Sequence, residues 1–173
     1  SFCIKIPHSV FFEYSTTKEI FQLCCQHRIF ANWFIIIDKN ILYDPEKKVV
    51  FVEGITDELA NIVLKDTGLE YKLNYVNELL CLGCIESLYG FATVLEKVCD
   101  GKIIEFIDEK AGIGAGSRLH NCLAIIDKSK HKPEVREAIL AEIDILKRIS
   151  GSNVEAGERF AEIFETSYAP FLD

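Results

Sequence analysis

The segment that most constrains the fold is a glycine-rich stretch, AGIGAGSRLHNC, which occupies residues 111–122. It separates two apolar segments, KIIEFIDE at residues 102–109 and RLHNCLAIID at residues 118–127. Their apolar and β-branched side chains favour strands, and the glycines allow the chain to turn tightly between them. We therefore predict two strands that pair across this turn.

The pattern of apolar residues predicts the other elements. Strands are predicted at residues 33–38 and 47–55. Residues 4–14, interrupted by Pro7, form an edge strand or an entry segment, and residues 69–76 form either a further strand or the start of the next helix. Helices are predicted at residues 15–30, 56–68, 77–98, 132–150 and 155–166. Because short turns join the strands in pairs, this order predicts an α+β fold with an antiparallel sheet and helices packed on one face.

The length of 173 residues and a hydrophobic content of 49% indicate a domain with its own core. We predict a single α+β domain over residues 1–130 and a C-terminal helical extension over residues 131–173. The extension has an amphipathic helix with an apolar stripe along residues 133–150. It either packs on the domain or mediates oligomerisation, for which a homodimer is the expected form.

Charge and cysteine content limit the partners and the compartment. A net charge of −8 would repel a nucleic-acid backbone or an anionic membrane surface. The longest apolar run, FIII at residues 34–37, is far shorter than the roughly 20 residues that cross a bilayer. The 7 cysteines are irregularly spaced, which indicates reduced thiols. We expect a cytoplasmic protein with no nucleic-acid partner and no membrane span.

The glycine-rich stretch lacks the features of phosphate-binding loops. A dinucleotide fingerprint places G-x-G-x-x-G between a strand and a helix, whereas these glycines follow G-x-G-x-G and precede a predicted strand. No Gly-Lys-Ser/Thr sequence occurs, and no nucleophile elbow, H-E-x-x-H motif or convincing Cys-His-Asp order is present. A non-enzymatic function is therefore favoured.

Two groups of residues could bind a metal. Cys81 and Cys84 form a C-x-x-C pair, but they lie in the apolar stripe of the predicted helix, which favours two small buried side chains. His120 and Cys122 lie two positions apart on a predicted strand, so they would share one face. The candidate zinc ligands are Cys99, Glu109, His120 and Cys122.

High apolar and aromatic content with few convergent polar groups is the usual profile of a ligand cavity. We expect the long helix and the sheet to enclose an apolar pocket. The predicted lining residues are Phe91, Leu95, Ile104, Phe106 and Leu123. A plain hydrophobic core explains the same residues.

Residues 82–126, LGCIESLYGFATVLEKVCDGKIIEFIDEKAGIGAGSRLHNCLAII, resemble the C-terminal core of 4-vinyl-reductase-type ligand-binding domains. These domains are related in fold to heme- and nitric-oxide-sensing domains and to TRAPP vesicle-tethering subunits. They place a helix with glycines, here Gly83 and Gly90, before an acidic strand, a small-residue turn and a Cys-containing strand. Zinc-binding members carry Glu-x-x-Cys ahead of the turn, whereas this chain has EKAG at residues 109–112. The resemblance implies zinc or heme as candidate cofactors, although it supplies no matching proximal histidine for heme.

Two functions lead, and an enzyme that uses a cysteine or the glycine-rich stretch ranks behind both. The first is a small-molecule-binding or sensory and regulatory module, which takes a small apolar ligand into the predicted pocket. The alternative is a non-enzymatic protein-interaction or assembly subunit, whose residues 133–150 present their apolar stripe to a protein partner or a second copy. Burial separates them, because a tail helix packed on its own sheet favours the sensor, and a stripe that stays exposed in the monomer favours assembly.

Overall fold

The computed structural model describes residues 45–65, 73 and 75–172 of the chain. These residues contain helices and no strand. The helices are α1 Pro45–Lys65, α2 Val76–Tyr89, α3 Phe91–Cys99, α4 Ile103–Ala111, α5 Ala115–Lys128, α6 Lys132–Ser150, α7 Val154–Ser167 and α8 Ala169–Leu172. Over the described ranges, the protein is therefore a helical bundle.

The predicted α+β fold with an antiparallel sheet is wrong for the described residues. The strands expected at residues 102–109 and 118–127 lie in α4 and α5. The strand expected at residues 47–55 and the helix expected from residue 56 onward belong to one helix, α1. The strand, turn and strand implied by the resemblance are likewise replaced by two helices and a turn.

The spacing of buried residues explains why α4 is a helix. Its buried side chains are Ile103, Phe106, Ile107 and Ala111. Steps of three and four residues place side chains on one face of a helix, whereas Ile103 and Phe106 would point to opposite faces of a strand. Burial of one helical face therefore outweighs the strand preference of the isoleucines.

The helix predicted at residues 77–98 is broken in the structure. Gly90 adopts a φ of +85° between α2 and α3, and the two helices are bent by 118°. A glycine tolerates this positive φ because it has no Cβ atom. The helical segment ends at Cys99, one residue beyond the predicted end, and Asp100 is its C-cap.

The longest C-terminal helix, α6, lies at the centre of the bundle. It packs against α2, α4, α5, α7 and α8. The helix predicted at residues 132–150 is confirmed, with Pro133 in its first turn. Its buried apolar side chains are Val135, Ala138, Ile139, Ile143, Ile145, Leu146 and Ile149. The apolar stripe is therefore covered by other helices of the same chain.

Other predicted elements fall partly or wholly outside the described ranges. The strands at residues 4–14 and 33–38 and the helix at residues 15–30 lie outside them, as does most of the segment 69–76. The helix predicted at residues 155–166 is confirmed within α7. In the described part of the chain no single helix has the length and apolar character of a membrane span, whereas α2 and α3 together meet both criteria as a bent pair.

Candidate functional site

The glycine-rich turn connects two helices. Gly112 follows α4 with a φ of +102°, and Gly114 precedes α5 with a φ of +85°. Both conformations lie in the region that favours glycine. The glycines therefore allow the backbone to turn, as expected, but the turn connects helix α4 to helix α5 and does not connect two strands.

The first turn of α5 is closed by groups of the chain itself. The backbone N–H of Gly116 donates a hydrogen bond to Oδ1 of Asp108, at 2.7 Å. A Cβ atom on Gly116 would lie 2.4 Å from the carbonyl oxygen of Ile104, so the backbones of α4 and α5 touch here. A helix N-terminus attracts anions, but a phosphate at this one would have to displace the Asp108 carboxylate.

The four predicted zinc ligands lie on three helices. Cys99 is partly exposed at the end of α3, and the exposed Glu109 of α4 pairs with Lys110 at 2.8 Å. His120 and Cys122 are both buried on α5. Two positions on a helix are about 200° apart, so the shared face expected on a strand does not arise.

No group of three or more His, Cys, Asp or Glu side chains in the described ranges is arranged to hold a metal ion. The imidazole of His120 has its Nε2 atom buried without a hydrogen-bond partner. Burial lowers the pKa of His120. The zinc site stays a prediction, for which the described helices supply no assembled ligand set.

The five predicted pocket residues belong to the core or border it. Phe106 and Leu123 are buried. Leu95 and Ile104 are partly buried against the same core, and Phe91 is partly exposed at the start of α3. Their packing is what a plain core requires, and a cavity among them stays a prediction.

The most unusual buried side chain is Glu142, in the middle of α6, which was not among the predicted site residues. It is 0% exposed, and among the described residues neither of its carboxyl oxygens has a nitrogen or oxygen hydrogen-bond partner. The nearby Cys81 thiol is only a weak donor to it. A sequence signal for it exists. Glu142 follows Ile139 by three positions and precedes Leu146 by four, which places it on the apolar stripe of the helix.

Side chains from three other parts of the bundle lie within electrostatic reach of Glu142. Together with Glu142, and with Asn77, which accepts a hydrogen bond from Tyr168, they form what we call the Glu142 cluster. Its members are Asn77, Glu78, Cys81 and Cys84 of α2, Cys122 of α5, Glu142 of α6, and Tyr168 at the end of α7. The cluster therefore joins the centre of α6 to α2, α5 and the C-terminal segment.

Burial controls the charge of the carboxyl groups in the cluster. Removal from water raises the pKa of Glu142 well above its ordinary value, and the neighbouring Cys81 thiol offsets only part of this effect. Burial, with a contribution from the nearby Asp127 carboxylate, raises the pKa of Glu78 to about 7. Burial therefore favours the neutral, protonated form of Glu142.

Burial also determines the chemistry of the C-x-x-C pair. It raises the pKa of Cys81 well above its ordinary value and that of Cys84 to about 12, and the nearby Glu142 carboxyl adds to both effects. Because the thiolate is the nucleophile and the metal ligand, both thiols are inert near neutral pH. This agrees with their interpretation as small buried side chains.

Asn77 and Tyr168 form a hydrogen bond within the cluster, and Tyr168 lies between α7 and α8. The Tyr168 hydroxyl donates a hydrogen bond to Oδ1 of Asn77, while Nδ2 of Asn77 is buried without a partner. With the two oxygens of Glu142, the cluster therefore presents unpaired hydrogen-bonding atoms on two side chains. Each unpaired buried group costs about 1–3 kcal/mol, so a polar group that enters the cluster and pairs with them would be bound favourably.

A separate open groove of about 680 Å³ lies along α6 and α7. Its lining residues are Lys147, Glu155, Glu158, Arg159, Ala161, Glu162 and Glu165. Lys147 pairs with Glu158 across it, at 3.3 Å. This groove is a charged surface and differs in character from the apolar pocket expected from the sequence.

Comparison of the chain with known proteins gives no matching family model, no matching curated protein and no matching solved structure. The inference of function therefore rests on the geometry of the bundle.

Proposed function

We propose that this chain is a small-molecule-binding module of the sensory or regulatory kind, with the Glu142 carboxyl group as the polar anchor of its ligand. The observation that carries the proposal is the complete burial of Glu142, whose two oxygens have no partner among the described residues beyond the weak Cys81 thiol donor. About 90% or more of buried polar groups in folded proteins have a hydrogen-bond partner. A buried carboxyl group with so little pairing among the described residues therefore favours a bound molecule as its partner.

The apolar side chains beside Glu142 on α6 support a mostly apolar ligand with one polar group. On α6 its buried neighbours are Ile139, Ile143 and Leu146, and ligand sites commonly combine apolar walls with a few polar anchors. The proposal keeps the small apolar ligand expected from the composition and places its polar end at Glu142. An ordered water molecule is the competing partner, since buried waters commonly satisfy such groups.

The burial of α6 bears on the alternative function. An assembly helix would keep its apolar stripe exposed in the single chain, but the stripe of residues 133–150 is covered by other helices of the bundle. The described residues contain no sheet for this helix to pack on, so the sequence criterion for the sensor is not met as stated. The covered stripe nevertheless argues against assembly through that helix.

Native mass spectrometry of the purified full chain, recorded next to a denatured spectrum, tests the proposal. Three proteins are compared: the unaltered chain, Glu142→Leu, and Glu137→Leu, which makes the same change at an exposed position of α6. We expect a non-covalent organic adduct on the unaltered chain and on Glu137→Leu, and none on Glu142→Leu. A melting-temperature screen of small apolar molecules on the same proteins covers weak ligands, because a ligand at 100 times its Kd adds about 2.7 kcal/mol of stability.

Two outcomes would contradict the proposal. One is an adduct or a melting shift that Glu142→Leu leaves unchanged, because the ligand would then bind elsewhere. The other is the absence of any adduct or shift in all three proteins together with a stable dimer or larger assembly, which would support the interaction subunit instead.

A further inference from the structure

Among the described residues, the two oxygens of Glu142 have no partner beyond the weak Cys81 thiol donor, and the side chain is 0% exposed. An ionised carboxylate offers only acceptors, whereas a protonated carboxyl group offers an O–H donor and a carbonyl acceptor side by side. The chemical class of the ligand therefore depends on which of these two forms Glu142 presents.

The side chains around Glu142 favour the neutral form. Those within its electrostatic reach are themselves acids or weak acids: Glu78, Cys81 and Cys84 from α2, Cys122 from α5, and Tyr168 from the end of α7. Arg118 lowers the pKa of Cys122, and Arg159 lowers the pKa of Cys84. In the described ranges, however, neither arginine forms an ion pair with Glu142. A negative charge on Glu142 would have no partner there, and burying an unpaired charge is costly.

A cationic ligand would therefore bind only by creating a buried ion pair, whose desolvation offsets much of its attraction. A cis-amide, in which N–H and C=O lie on the same side, matches a protonated carboxyl group with two parallel hydrogen bonds and no buried charge. The unpaired Nδ2 of Asn77 is a further donor in the cluster. A carbonyl oxygen can accept from it, and an ammonium group cannot.

We infer that the ligand of the Glu142 cluster is a neutral molecule that binds through a cis-amide-type donor and acceptor pair, as in a lactam or a primary carboxamide. This inference rests on the proposed ligand site and adds the chemical class of the ligand. Glutamine at position 142 would preserve a neutral donor and acceptor pair of the same shape, and leucine would remove it.

Ligand-observed NMR titration of the full chain with two ring-matched probes tests the inference. The probes are δ-valerolactam, a neutral cis-amide, and piperidine, a cation at neutral pH. The proteins are the unaltered chain, Glu142→Gln and Glu142→Leu, each checked for helical content and cooperative melting. We expect valerolactam to bind the unaltered chain and Glu142→Gln with similar Kd, and to bind Glu142→Leu about tenfold more weakly or worse. We expect no binding of piperidine that depends on residue 142.

The outcomes separate the two proposals. Piperidine binding that Glu142→Gln abolishes would overturn the neutral-ligand inference and leave the ligand site intact, because a cation requires the carboxylate. If neither probe binds in a way that depends on residue 142, the inference and the proposed ligand site both fail.

Discussion

Replacement of Gly116 by alanine is expected to destabilise the protein, because α5 touches the backbone of α4 at this residue. The new Cβ atom would lie 2.4 Å from the carbonyl oxygen of Ile104 and 2.9 Å from its Cα atom. A close contact between carbon and oxygen is about 3.3 Å. Backbone atoms cannot rotate out of the way as a side chain can, so the two helices would have to separate by roughly 1 Å.

The expected size of the effect follows from two opposing contributions. Overpacking of this kind costs about 1–3 kcal/mol, and a contact with backbone belongs at the upper end. Alanine offsets about 1 kcal/mol of this because its helix propensity exceeds that of glycine. We expect a net loss of about 2 kcal/mol, which lowers the melting temperature by about 4–8 °C in a chain of this size.

Gly83→Ala is the matched control, since Gly83 lies inside α2 and its Cβ atom would meet nothing within 4 Å. There we expect a gain of about 0.5–1 kcal/mol from helix propensity alone. Urea and thermal unfolding followed by circular dichroism measure both variants. Equal shifts for the two substitutions, or a stabilised Gly116→Ala, would refute the close packing of α4 on α5.

Three further predictions concern polar groups. Asp108→Ala removes the acceptor of the Gly116 N–H and is expected to cost about 1 kcal/mol in urea unfolding; unchanged stability would argue against this cap. Glu142→Leu is expected to raise the free energy of unfolding at neutral pH by about 1–3 kcal/mol, because an apolar side chain replaces an unpaired buried carboxyl group; a clear loss of stability would contradict its unpaired state. Burial raises the pKa of Glu78 from 4.5 to about 7, so its contribution to stability is complete below pH 4.5 and is lost as the pH rises through about 7. In urea titrations at about pH 5 and about pH 8, Glu78→Gln should therefore reduce the pH-dependent loss of stability by on the order of 2 kcal/mol, and an unaltered loss would disagree with this.

The helices with one clear apolar face could be predicted from the sequence. α6 has its apolar positions on one face, with Pro133 in the first turn and Gly151 after the last. These signals are local, so the sequence contains them in full.

The elements around the glycine-rich turn could not be assigned in the same way. α4 is only 9 residues long, and its apolar residues fit a strand as well as one face of a helix. Packing against α5 and α6, which bury one face of α4, stabilises the helix over the strand. Gly90 likewise marks a break whose direction depends on tertiary contacts.

The position of Glu142 could be predicted from the sequence, but the other members of the Glu142 cluster could not. A glutamate on the apolar stripe of a helix is visible as an exception to the pattern. Its neighbours are not visible, because they come from α2, α5 and the end of α7, which are far apart in sequence. Only the packing of these helices around α6 brings their polar side chains together.

The most direct test of the account is a pH titration of the side-chain carboxyl carbon of Glu142, followed by ¹³C NMR in the full chain. Comparison with Glu142→Gln assigns the signal, and the chain unfolded in urea gives the reference for solvated glutamates. The account predicts that this carbon keeps the chemical shift of a protonated carboxyl group to a pH well above the one at which the solvated glutamates titrate, because burial raises the pKa of Glu142 well above its ordinary value. A Glu142 carbon that titrates together with the glutamates of the unfolded chain would contradict it, since the side chain would then be solvated and could not anchor a buried ligand.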